Sequence, residues 1–197
     1  MTVALWGGGT TDELADRIRS GDVAIDLYRP VSLLGWYLAG DLGRAAYHLL
    51  TRGLAPTVLG WLLFDIRLPG SPLAVLAVLG SIVLAVVVSF AVRFLFAASA
   101  FWLLDAQGAR MLSGVLALFW SGMVLPLVIF PGALRDLALA LPWASYLQTP
   151  ADIWLGHRVG WSLVGGLGLQ AFWALALLGC CQLVVSAATR KVVVQGG

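Results

Sequence analysis

Apolar runs dominate the chain, and their lengths are those of membrane helices. From Leu73 the sequence is free of charge through Val92 and continues past Arg93 to Leu104. A run over 73–104 is too long for one untilted crossing, so it predicts a tilted or broken helix. Further runs over 45–64, 111–131 and 161–187 are each close to the roughly 20 residues that cross a hydrocarbon layer. Between the last two, 131–161 is neither a clean span nor a polar loop. Pro131, Pro142 and Pro150 cut it into pieces too short to cross, and Trp143, Tyr146, Trp154 and Trp161 crowd it. That pattern predicts short re-entrant or interfacial helices on one membrane face. The expected fold class is therefore all-α and polytopic, with about four transmembrane helices.

Polar positions concentrate near the N-terminus. "TTDELADRIRSG" reads as a short exposed helix: Thr10 and Glu13 have the spacing of a capping box. Asp12 and Glu13 lie at the positive end of its dipole, and Arg17 and Arg19 at the negative end. Gly21 suits the position just past the helix. Pro30 disfavours helix at Arg29, and Ser32 can cap the next helix. That helix, "LLGWYLAGDLGRAAYHLL", is amphipathic: Asp41, Arg44, His48 and Arg52 recur every three or four positions. Its early part is expected along the membrane surface, with Trp36 and Tyr37 at headgroup level.

Composition agrees with lipid as the main solvent. Of 197 residues 60% are hydrophobic and only 11% charged, too little polar surface to cover a water-soluble core. The net charge of +2 gives nucleic-acid binding no electrostatic support. The bias of basic residues places both termini on the cytoplasmic side, with Arg17, Arg19, Arg29, Arg44, Arg110, Arg190 and Lys191 inside. Cys180 and Cys181 are adjacent in an apolar run and read as small apolar fillers.

Several chemistries lack their residues. The single lysine, Lys191, comes after no glycine-rich loop, which excludes a P-loop ATPase. Ser121-Gly122 could suggest an intramembrane serine protease, but neither His48 nor His157 stands where a buried dyad needs its base. There is no HExxH motif and no paired intramembrane carboxylate, so no metal and no catalytic residue is expected. Arg93 is costly inside a span and functional by default; the plainer expectation is a side chain that snorkels toward the interface, with Asp105 as partner. For Arg44, His48 and Arg52 the plainer expectation is a hydrated cytoplasmic-side face, and the sharper one a line facing a substrate path.

In order and spacing, "IRSGDVAIDLYRPV", "LPWASYLQTPADIWLG" and "VVVQGG" make the chain resemble the permease subunit of a bacterial ABC exporter of the type 2 class. The branch is that of uncharacterised permeases encoded beside a second permease and an ATPase. The resemblance covers nearly all the chain from about residue 10 onward. It implies that 11–22 form a cytoplasmic coupling helix seated in a groove of the ATPase subunit, with Glu13, Asp16, Arg17, Arg19, Gly21 and Asp22 as coupling candidates. Arg44, His48, Arg52 and Arg93 are the intramembrane polar candidates. Residues 1–40 would then form the cytoplasmic coupling and lead-in unit, and 41–197 the transmembrane domain. In such permeases the coupling helix comes after the second span, whereas here "MTVALWGGG" alone precedes it and reads as the end of that span; the chain is N-terminally short relative to the family.

The resemblance implies a non-catalytic subunit that binds no cofactor, ATP and Mg being used by the partner ATPase. It implies a second permease as homo- or heterodimer partner, and the bacterial inner (plasma) membrane as location. The alternative is a non-transporting membrane scaffold.

Overall fold

The computed structural model describes residues 9–64, 69–103 and 107–195. Most of the expected span remnant at 1–9, and also Arg67 and Asp105, lie outside the described residues. No strand occurs among those described.

Helix α1 (Thr10–Ser20) begins where the Gly9 carbonyl accepts the Asp12 and Glu13 amides. The Thr10 hydroxyl, expected to cap it, instead turns away to the carboxylate of Asp41, 31 positions on. Gly21 closes α1 in a left-handed conformation at φ 85°, which a side chain would strain. A short α2 (Val23–Leu27) comes next. Helix α3 (Leu33–His48) starts at Ser32, whose hydroxyl accepts the Gly35 amide at 3.2 Å.

The amphipathic helix and the expected span over 45–64 turn out to be one rod. A π-helical turn, Leu49–Gly53, joins α3 to α4 (Leu54–Phe64) without a break. Such a turn inserts an extra residue into the helix and rotates the residues beyond it about the axis. This overturns the single polar face expected for Asp41, Arg44, His48 and Arg52: Arg52 sits in the π turn and is exposed, whereas Asp41 is fully buried.

Helix α5 (Pro72–Ala98) is capped by Ser71, with Pro72 in the first turn where its missing N–H costs nothing. A 3₁₀ turn, Ser99–Phe101, extends it. Helix α6 (Gln107–Trp120) stops well short of the expected 111–131. Gly122 turns the chain at φ 81°, and a Cβ there would come within 2.9 Å of Gln148 Oε1. Pro126 and Pro131 then prevent the helix from resuming early. Fourteen residues reach about 21 Å, less than the hydrocarbon thickness of about 30 Å.

The proline-broken region yields a 3₁₀ turn (Leu127–Ile129), α7 (Gly132–Ala140), a second 3₁₀ turn (Pro142–Ser145) and α8 (Gln148–Trp154). Last comes α9 (Trp161–Gln195), which outruns the expected 161–187 because no proline or turn signal halts it. The stretches long and apolar enough to cross a membrane are Pro72–Phe101 and Trp161–Arg190, among the described residues.

Helix α5 is the axis of the molecule: α1, α3, α6, α8, α9 and the Pro142–Ser145 turn all pack on it. At its C-terminal end Phe90 and Phe94 meet Leu14 and Ala15 of α1, Leu33 and Tyr37 of α3, and Cys181 of α9. Nearer its middle Val88 and Val92 meet Ala45, Ala117, Tyr146 and Ala174. The short helices before α9 thus fold back into the layer and do not lie outside it. Helix α9 shows Phe172, Leu175 and Leu183 outward, a surface suited to lipid.

One amide fastens α5, α9 and the folded-back segment together. Gln170 is fully buried; its Oε1 accepts the Ser81 hydroxyl at 2.8 Å, and its Nε2 donates to the Ser81 and Ser145 carbonyls at 3.3 and 3.0 Å. Gln170→Ala leaves these groups without a partner in an apolar layer. The expected cost is about 1–3 kcal/mol, read as a lower midpoint of thermal unfolding in detergent, with Gln182→Ala on the exposed face as the unaffected control.

Candidate functional site

The most costly group in the molecule is a carboxylate. Asp41 is 0% exposed on α3 at the level where that helix crosses α5. Ionised burial is tolerable only with close, hydrogen-bonded counter-charge. Arg93 Nη2 donates to Asp41 Oδ2 at 2.7 Å, and Arg44 Nη2 donates to Oδ1 at 2.6 Å. The Thr10 hydroxyl reaches Oδ1 at 3.4 Å. Arg93 is held in turn by its Nε, which donates to the Ser89 hydroxyl at 3.3 Å. The side chains of Arg93 and Arg44 are 10% and 18% exposed.

Three helices therefore meet at one carboxylate, and glycines make room. A Cβ on Gly9 would lie 2.9 Å from the Arg44 guanidinium, and one on Gly40 would lie 3.0 Å from Thr10 Cγ2. The first residue of the charged helix is thus wired to the long apolar helix through Asp41.

This corrects two expectations. Arg93 has its acid in Asp41, 52 positions away in sequence, while Asp105, the expected partner, lies outside the described residues. Arg44 does not sit on a hydrated face but inside the same cluster. His48 is half-buried, its ring edge-on to Tyr47 at 5.7 Å, and its Nδ1 is buried.

The coupling candidates of α1 also divide. Arg17 points inward: its Nε and Nη2 donate to the buried Asp26 at 2.5 and 3.0 Å, and Arg29 lies 3.6 Å from the same carboxylate. The hydrogen bond with Asp26 raises the pKa of Arg17 above its ordinary value. Asp16 faces Arg110 of α6 at 3.9 Å, with Asp12 beside it at 3.6 Å. Glu13, Arg19, Gly21 and Asp22 are exposed or partly so, Asp22 accepting the Ser20 hydroxyl at 2.8 Å. Asp16, two-thirds exposed, completes a mixed-charge outer face.

Sequence reasoning missed Asp41 as a functional partner, and missed Ser81, Ser89 and Gln170 altogether. A signal existed. Ser81, Ala85, Ser89 and Arg93 repeat every fourth residue, small or polar positions on one side of an otherwise aliphatic helix. All three small residues are fully buried.

Among the described residues, no group of three or more His, Cys, Asp and Glu side chains could hold a metal ion. The arrangement instead provides a helix whose charged outer face is largely exposed and whose inner end is tied by hydrogen bonds to a long apolar helix. The family model for ABC-2 family transporter protein matches residues 5–196. The chain belongs to this family. No curated protein and no solved structure matches it. As an ABC-2 transporter protein it is a membrane component of ABC transport, and this class works with an ATPase subunit.

In this ABC-2 protein the Asp41 cluster carries a definite energetic expectation. Asp41→Ala strands two guanidinium groups and is expected to cost about 3–5 kcal/mol. Adding Arg93→Met, which removes the more buried cation, is expected to restore a substantial part. Thermal unfolding of the single and double variants in detergent measures both; equal loss in the two would mean that the ion pair is not the source.

Proposed function

We propose that this chain is the membrane-spanning permease subunit of an ATP-driven exporter, and that α1 is the element through which a separate ATPase subunit moves it. One observation carries the reading. Thr10, Asp41 and Arg93 form a continuous hydrogen-bonded path from α1 to the long apolar helix α5.

Displacement of α1 then cannot be absorbed locally. Its inner end is held by Asp41, its C-terminal half by the Arg17–Asp26 clasp, and its apolar stripe, Leu14 with Ala15, by α5. A push on the outer face reaches α5 as a rigid-body movement, the usual way in which nucleotide-driven closure shifts a transporter between two states. The ATPase would hydrolyse ATP with Mg; this subunit would contribute none of that chemistry. The α1 end is assigned to the cytoplasm of a bacterial cell, with both termini on that side, since the basic residues concentrate there. A second permease, identical or related, would complete the pathway.

The outer-face residues are those to change, because Arg17 is used internally. In the complex with the co-expressed ATPase subunit, Glu13→Arg together with Arg19→Glu is expected to weaken co-purification and stimulated hydrolysis about tenfold, with unfolding temperature unchanged. Binding and hydrolysis at the unaltered level would remove α1 from the coupling role and favour a scaffold without transport.

A further inference from the structure

Four buried polar atoms in the middle of the molecule have no hydrogen-bond partner among the described residues: Ser121 Oγ, Trp143 Nε1, Tyr146 Oη and His48 Nδ1. They share one neighbourhood. Tyr146, 2% exposed, belongs to the same buried cluster as Ala45 of α3 and Ala117 of α6, and Trp143 packs on that cluster. Ser121, 1% exposed, lies one turn beyond Ala117, and its amide donates to the Ala117 carbonyl. His48 lies one turn beyond Ala45, beside the π turn.

A single polar group without a partner in hydrocarbon costs several kcal/mol as a general rule. Four such atoms, on α3, α6 and the folded-back segment that border one packed cluster, mark a place built to receive polar atoms. The donors decide the kind of atom. An indole N–H only donates. Tyrosine and serine hydroxyls can donate as well. The matching ligand carries oxygen acceptors such as hydroxyl, carboxylate or phosphate ester groups. The position is midway along α5, between the Asp41 cluster at Arg93 and the Gln170 clamp at Ser81, levels about 18 Å apart along the helix.

We infer that Ser121, Trp143, Tyr146 and His48 form a water-accessible polar station inside one subunit that holds the oxygen-bearing end of an amphiphilic ligand. That this ligand is transported cargo rests on the exporter reading; the station itself does not.

Cysteine accessibility tests it in the full chain in native membranes. Ser121→Cys and His48→Cys are each made with Cys180→Ala and Cys181→Ala, and treated with methanethiosulfonate ethylammonium. The control is the Cys180→Ala chain, whose remaining Cys181 is fully buried in the apolar cluster. The station predicts both introduced thiols labelled at least about tenfold faster than Cys181, since a thiol reacts only where water reaches it. Octanol is expected to slow labelling of Ser121→Cys and octane at equal membrane load to leave it unchanged, with the protection lost on adding Tyr146→Phe.

Rates within about twofold of Cys181 for both thiols, in protein that still runs as a single species, would overturn the station. Equal slowing by octane would overturn the oxygen-acceptor class. Neither result depends on the ATPase: lost coupling with fast labelling sinks the exporter reading alone, and slow labelling with intact coupling sinks the station alone.

Discussion

A carboxylate with no exposure to solvent, at the crossing of two helices in an apolar layer, constrains everything near it. Arg93 and Arg44 both hold the Asp41 carboxylate within hydrogen-bond reach, so α3 and α5 cannot slide past each other without breaking charge-assisted bonds. The Thr10 hydroxyl adds α1 to the same point. The glycines at 9 and 40 are consequences, since a methyl group at either would press on Arg44 or Thr10. Polar clusters of this kind contribute little net stability beside apolar packing. They supply a fixed geometry with a high penalty for being half-formed.

Helix α5 carries two such fastenings. At Arg93 it is tied to α3 and α1, and at Ser81 to α9 and the folded-back segment through Gln170. The aliphatic packing between them is less specific, because hydrocarbon surroundings offer no driving force for one apolar contact over another. The directional bonds at the two levels therefore define which helix neighbours which. The π turn at 49–53 adds a joint just beyond the first level, separating the anchored α3 from the exposed α4.

Much of the helix inventory was legible in the sequence because it rests on local physics. Ser32 caps as its position predicts, and Gly21 closes α1 in the conformation that favours glycine. The prolines at 131 and 142 do stand at the starts of new elements, whereas Pro150 is accommodated in the first turn of α8 and divides nothing. Nonlocal contacts were not legible. Asp41, the acid that Arg93 binds, is on a helix brought alongside by packing, 52 positions away, which one run of sequence read alone does not reveal. Thr10 fits a capping pattern, yet a buried carboxylate outcompetes a solvent-exposed cap for its hydroxyl. The amphipathic spacing of Asp41, Arg44, His48 and Arg52 assumes an unbroken α-helical period, and a π turn leaves no composition signature by which to see it. The early stop of α6 comes from Gly122 and Pro126 together, where the apolar pattern alone reads straight through.

The contrast between satisfied and unsatisfied polar groups separates parts of the site that look alike in sequence. Ser81, Ser89 and Gln170 are buried and bonded within the chain; they are structure. Ser121 and Tyr146 are as deeply buried, on elements packed on that same central cluster, and their side-chain hydroxyls bond to nothing described. If burial alone drove the choice of residue, alanine and phenylalanine would fill those two places at lower cost, as alanine does at 85 and 117. The free hydroxyls lie in the layer between the two fastenings of α5. A movement entering at α1 would be held at one level and resisted at the other, so the intervening layer is where a change in packing would be concentrated. Groups needing an outside partner are best placed where the helices can part, and between the two directional clamps the helices are joined by apolar packing, which is the less specific contact.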